Sequence, residues 1–231
     1  MSRTSALVAS LLIALGTPVR AQTVSPAVPE VGVPERQDVP DPAIGRFNFA
    51  GYRSKRHCTM FAVGPTTVLT AAHCVRGLRA GETHLLFGYS RMEWGAHLTP
   101  ASIGVVGNDV AVLCLGEPAP AALALAPEAP LEPGEAMVAV GYGTPVRHMQ
   151  SRTRCPVLRE GATDAGRSVV LGCAQSHGAS GGPVLNGRGE AVAVISATSR
   201  TQLLAARIPP GAAELCAPPA RPGEAAREAV D

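Results

Sequence analysis

His177-Gly178-Ala179-Ser180-Gly181-Gly182-Pro183 is the stretch on which the reading of this chain turns. A serine with glycines close on both sides and a proline behind them lies in backbone that must bend, because glycine reaches positive φ without the steric cost of a Cβ. Such a bend exposes the serine hydroxyl. It also frees neighbouring N–H groups to converge on one point, as stabilising the oxyanion of an acyl-transfer intermediate requires. An ordinary surface turn uses the same residue types, so the stretch gains meaning only from what accompanies it.

Two further segments precede it. Thr70-Ala71-Ala72-His73-Cys74 ends an apolar, β-rich run, and Asn108-Asp109-Val110-Ala111-Val112-Leu113 opens another. A serine is a poor nucleophile at its own pKa and needs a base within hydrogen-bond reach, and imidazole serves because it takes and returns a proton near neutral pH. An Asp at the head of an apolar run is costly unless hydrogen-bonded, although after Gly107-Asn108 it also reads as a plain turn residue. The three segments together, in residue type, order and approximate spacing, resemble the chymotrypsin-like (trypsin superfamily) serine peptidases of the bacterial trypsin-like type. The resemblance covers about residues 46–209.

That resemblance implies an all-β fold of two antiparallel β-barrels of about six strands each, residues 46–125 and 126–209, with the active site in the inter-barrel cleft. His73 and Asp109 belong to the first barrel and Ser180 to the second. It implies a catalytic triad of His73, Asp109 and Ser180 and an oxyanion hole formed by the N–H groups of Gly178 and Ser180. The base of the primary substrate pocket falls at Ala174, with Gln175 beside it, and no acid stands there to select Arg or Lys. His177 either touches substrate or is merely solvated. Ile195-Ser196-Ala197-Thr198 resembles the strand that pairs with bound peptide, which makes Ser196 a backbone partner for substrate. The sequence departs from the digestive members in two places. Ala179 stands where they carry an Asp that receives a freed N-terminal ammonium, and no Ile-Val-Gly-Gly start follows the linker, so activation by that ion pair is excluded.

Residues 1–21 read as a signal peptide, with Arg3 as the positive region, Ala6–Gly16 as an apolar core too short to span a bilayer, and Val19-Arg20-Ala21 as the cleavage site. The six cysteines are an even number, and in an exported chain they imply three disulfides. The resemblance implies Cys58–Cys74 and Cys155–Cys173, which leaves Cys114 with Cys216. The competing reading, metal ligation by His57-Cys58 and His73-Cys74, matches no usual zinc spacing, and no metal is expected.

Residues 22–45, with five prolines from Pro26 to Pro42 and no periodicity, read as an extended linker or propeptide. Short β-like runs bounded by Gly, Pro, Asn and Ser fill most of the rest. Residues 117–133, rich in Ala and Pro, connect the halves. Gln202–Ile208 fits a last strand or a short helix, and residues 210–231 read as a tail. Only 3% of residues are aromatic, so the core is built mainly from Val, Leu, Ile and Ala, and a net charge of +2 gives no ground for a nucleic-acid or membrane partner. The sequence thus predicts a secreted or periplasmic monomeric serine endopeptidase acting on protein or peptide substrates with no cofactor. The alternative is a non-catalytic scaffold of the same fold that binds protein. An esterase of the α/β-hydrolase class is excluded by chain order, since those enzymes run Ser, acid, His.

Overall fold

Runs of Val, Leu, Ile, Thr and Ala four to eight residues long, separated by Gly and Pro, are short enough for strands and too short for packed helices. The computed structural model describes residues 32–49, 57–126, 128, 130–144, 146–164 and 166–216. Its strands are β1 (Glu35–Arg36), β2 (Ile44–Phe49), β3 (His57–Ala62), β4 (Thr67–Ala71), β5 (Thr83–Phe87), β6 (Ala96–Leu98), β7 (Pro100–Gly107) and β8 (Val110–Leu115) in the first half. The second half has β9 (Ala136–Gly141), β10 (Ser151–Thr163), β11 (Gly166–Leu171), β12 (Pro183–Leu185), β13 (Ala191–Thr198) and β14 (Leu203–Arg207). The one α-helix among the described residues, α1 (Ala72–Val75), is a single turn carrying His73.

In the second half β9 pairs with both β10 and β12, so the order β9-β10-β11-β14-β13-β12 closes into a six-stranded barrel. The first half is a half-barrel, and together the two halves match the expected two-barrel architecture. The half-barrel is a seven-stranded sheet in the order β6-β5-β2-β3-β4-β8-β7 whose two edges are not hydrogen-bonded to each other among the described residues. Its edge strands β6 and β7 are separated in sequence only by Thr99, so one extended run serves both edges, and Pro100 at the junction has no N–H for a ladder bond. Each half has its own core. Phe47, Phe61, Leu69, Leu85, Phe87 and Leu113 are fully buried in the first, and Met137, Leu171 and Leu203 in the second. Gln202–Ile208 resolves as strand β14, antiparallel to both β11 and β13. Its last residue, Arg207, is a buried charge the sequence pattern concealed, and it sits 3.2 Å from Glu160, which also pairs with Arg167 at 2.9 Å.

The described part of residues 22–45, expected as an extended linker or propeptide, is extended and pairs with the second half. Gly32 bridges Cys173, β1 pairs with Arg152 and Ser151 on β10, and Gln37 N–H donates to Gln150 O, before β2 begins at Ile44 rather than at residue 46. A segment that pairs over two residues and is otherwise held by prolines leaves no alternation to read. The described part of the expected tail, residues 210–216, is fastened to the first half. Ala212 is fully buried, Thr67 Oγ1 donates to Ala213 O, and Cys216 is disulfide-bonded to Cys114 on β8. The signal-peptide stretch 1–21, the linker residues 22–31 and residues 217–231 lie outside the described residues.

Candidate active site

Strand β4 is buried along its whole length and ends at Ala71, so the single turn of α1 emerges at the surface and presents His73 there. Three hydrogen bonds fasten that turn to Asp109. Ala72 N–H donates to Asp109 O, His73 N–H to Asp109 Oδ1, and the His73 Nδ1 position lies 2.9 Å from Asp109 Oδ2. The carboxylate therefore grips both the backbone and the ring of one histidine, and the ring's other nitrogen is left for the cleft.

Asp109 itself sits in a left-handed turn, φ 60°, after Asn108 at φ 39°. Asn and Asp tolerate this region better than other side chains do, which explains that dipeptide ahead of β8. Asn108 Nδ2 donates to Arg167 O and lies 3.1 Å from Ser168 Oγ, so the turn carrying Asp109 is held by β11 of the second barrel. From the same barrel Ser196 Oγ donates to Asp109 Oδ2 at 2.5 Å. Burial alone would raise the Asp109 carboxyl, but the bonds from His73 Nδ1, Ser196 and His73 N–H outweigh it and hold its pKa below the ordinary value. A carboxyl depressed by folding contributes stability that is present above its unfolded pKa and is lost as pH falls through the folded one. The difference in melting temperature between wild type and Asp109→Asn is therefore expected to shrink on acidification from neutral pH through the carboxylate range. A difference that stays constant would show that the carboxylate's bonds add nothing to the fold.

The glycines around Ser180 are demanded by close approach. Gly178 has φ +103° and Gly181 +84°. A Cβ on Gly178 would collide with the His57 ring and the Tyr142 carbonyl, and one on Gly181 with Thr59 O and Thr70 Oγ1. The loop is pinned to the first half by Thr59 N–H donating to Ser180 O at 2.8 Å, beside the Cys74 sulfur, which lies 4.0 Å from the same oxygen. Peptide orientation then follows from its fixed carbonyls. Thr144 N–H takes His177 O and Gly182 N–H takes Ala179 O, and because a trans peptide directs its N–H opposite to its C=O, the N–H groups of Gly178 and Ser180 are turned the other way. Neither has a partner among the described residues. Thr59, fully buried, reinforces this by donating to Gly178 O at 2.8 Å and accepting from Tyr142 N–H at 3.0 Å. Ser180 Oγ makes no hydrogen bond to His73 among the described residues. Such bonds are often long until substrate is bound.

Cysteines pair as Cys58–Cys74, Cys155–Cys173 and Cys114–Cys216. Cys58, His73 and Cys74 cluster closely enough to suggest a metal, but the two sulfurs are bonded to each other and are not thiolates. Gln175 is only 6% exposed, its Nε2 donates to Thr153 Oγ1, and its backbone N–H and O are both bonded to Thr198 Oγ1. Ala174 is half-buried beside it and His177 is exposed. Ser196, expected to act through its backbone, uses its side chain on Asp109.

A family model described as a trypsin-like peptidase domain matches residues 58–194, a span that includes His73, Asp109 and Ser180. The chain belongs to the trypsin-like peptidase family. Solved structures share its fold. The VesB protease of Vibrio cholerae superposes with a TM-score of 0.60 at 17% identity over 75% of this chain and 61% of that one. The protease Anisep from Arthrobacter nicotinovorans gives 0.61 at 17% over 76% and 93%. The scabies mite inactivated protease paralogue S-D1 gives 0.65 at 16% over 77% and 92%. No curated protein sequence matches the chain. In this trypsin-like domain Ala179 is 1% exposed and packs against Gly141 and Gly143, so apolar contact fills the position for which other members use an ion pair. Sequence reasoning missed Thr59, Asn108 and the Ser196 hydroxyl. For Thr59 and Ser196 only the strand register reveals which face meets the site, and for Asn108 only the packing of its turn against the second barrel does.

Proposed function

We propose that the chain is an exported serine endopeptidase that cleaves peptide bonds through an acyl-enzyme formed on Ser180. The observation that carries this reading is the Asp109 carboxylate, gripping His73 at both its N–H and its ring and met from the second barrel by Ser196. An Asp that accepts a hydrogen bond from Nδ1–H keeps the proton on that nitrogen and leaves Nε2 with the free lone pair, the tautomer a general base requires. Nε2 removes the Ser180 proton as Oγ attacks the carbonyl carbon, and Asp109 stabilises the imidazolium that forms. The developing oxyanion is received by Gly178 N–H and Ser180 N–H, each such donor being worth about 3 kcal/mol in the transition state. His73 then protonates the leaving amine, and water, deprotonated by the same nitrogen, hydrolyses the ester. The uncharged Ala174 and the Thr198 clasp on Gln175 argue against a preference for Arg or Lys before the scissile bond. Export is supported by the leader-like residues 1–21 and by three disulfides, which persist in oxidising compartments. No helix among the described residues is long and apolar enough to cross a membrane.

A second reading, a binding scaffold without turnover, is favoured by the missing Ser180–His73 hydrogen bond. A fluorophosphonate probe separates the two. The purified chain is expected to be labelled and its Ser180→Ala variant to stay unlabelled. Absence of label on native, disulfide-intact protein would transfer the weight to the scaffold reading.

A further inference from the structure

On the outer face of the first sheet two histidines meet that the catalytic reading does not use. In the register of the sheet Asn48 opposes His84, and Leu86 on β5 opposes both Arg46 on β2 and His97 on β6. Since alternate residues share a face, Asn48, His84, Leu86 and His97 point to the same side, with His84 and His97 as diagonal neighbours. Their rings are hydrogen-bonded to each other, with His84 Nδ1 and His97 Nε2 2.9 Å apart, centroids at 5.0 Å and planes inclined by 50°, so an ion bound there takes the place of the shared proton. Trp94, itself 50% exposed, lies edge-on to His97 at 5.9 Å and restricts that ring.

We propose that His84 and His97 form a chelating site for a divalent transition-metal ion of the copper or nickel kind. Two imidazole nitrogens each about 2.0–2.1 Å from a metal lie about 2.9 Å apart when the N–metal–N angle is 90°, and about 3.4 Å apart at the tetrahedral angle. The observed spacing is that of neighbouring ligands in square-planar or tetragonal coordination, the geometry of Cu²⁺ and Ni²⁺ with nitrogen and oxygen donors. An oxygen donor stands ready on the same face. Asn48 Oδ1 is buried and has no hydrogen-bond partner among the described residues, an expensive arrangement that a ligand would relieve. His97 is exposed, so the ion has an approach and water can complete its coordination. Asn48 also opposes His57, whose ring covers Gly178, so the site lies two strands from the oxyanion loop. The inference stands independently of the peptidase reading.

The test uses the full chain carrying Ser180→Ala, which cannot digest itself, titrated with Cu²⁺ in a weakly coordinating buffer and followed by calorimetry and electron paramagnetic resonance. One equivalent is expected to bind with hyperfine structure from imidazole nitrogen. His84→Gln and His97→Gln are each expected to weaken binding about tenfold or more, because the second imidazole of a chelate binds at high effective concentration. Circular dichroism confirms that each variant is folded, and for any that is not, the corresponding Ala variant is read instead. Failure of the unsubstituted pair to bind Cu²⁺, or binding unchanged in folded variants of both positions, would overturn the proposal.

Discussion

Asp109→Asn is expected to lower the rate of fluorophosphonate labelling at Ser180 by about 10⁴, the loss that follows if Asp109 fills the aspartate position of a serine-peptidase triad, and the largest single-residue effect on activity. In transition-state terms that is about 5 kcal/mol. Asn suits the backbone, because it tolerates the left-handed conformation at φ 60° that Ala would occupy only under strain. Its amide oxygen in place of Oδ1 still accepts from His73 N–H. Its amide nitrogen then faces His73 Nδ1 and donates to it, which forces the ring proton onto Nε2 and leaves no lone pair for the Ser180 proton. Ser196 can reverse its hydroxyl and accept from the same amide, so packing survives while the tautomer is wrong. The readout is the second-order labelling rate together with the thermal midpoint at neutral pH. An Asp109→Asn chain that labels within about tenfold of wild type would show that Asp109 does not set the His73 tautomer, and the endopeptidase reading would fall with it.

The three segments on which the proposed chemistry rests stand out in the sequence because each couples a reactive residue type to a local backbone demand. Glycine around Ser180 and the left-handed Asn108-Asp109 dipeptide leave marks in the sequence itself. Strand existence was legible for the same reason, through apolar runs cut by Gly and Pro. What stayed hidden depends on contacts between segments distant in the chain. Ser196 lies in a strand that was expected, yet whether it presents a hydroxyl or only its backbone depends on the register of β13 against β14, where a bulge between Ile195 and Ala197 intervenes. Thr59 reads as one more strand residue until Gly178 and Tyr142 are folded onto it from more than 80 positions away. Residues 32–43 read as linker because a strand of two residues shows no period. The open edge of the first sheet was equally invisible, since sequence reports strands and not which of them pair.

Removing the Cys114–Cys216 bridge is expected to have the largest effect on stability. The bridge spans 102 residues, and in the chain-entropy model a closed loop of that size constrains the unfolded chain by about 4.7 kcal/mol at 25 °C, against about 3 kcal/mol for the 16-residue separation of Cys58–Cys74. Measured losses fall at or below such values, so Cys114→Ser/Cys216→Ser should lower the unfolding free energy in urea by about 3–5 kcal/mol. The two bridges also differ in what they position. Cys216 belongs to the segment after β14 that packs on the first half, where Ala213 O and Cys216 O accept from Thr67 and Thr66 at the start of β4, the end remote from His73. Cys74 instead follows His73 directly and lies against Ser180 O. The Cys114/Cys216 variant should therefore still be labelled at Ser180 at temperatures where it remains folded, whereas Cys58→Ser/Cys74→Ser should lose labelling before it loses structure. Equal unfolding free energies for wild type and the Cys114/Cys216 variant would mean that the last turn holds to β4 by its hydrogen bonds and the burial of Ala212 alone. Loss of labelling in a folded Cys114/Cys216 variant would mean instead that strain at the far end of β4 reaches His73 along the strand.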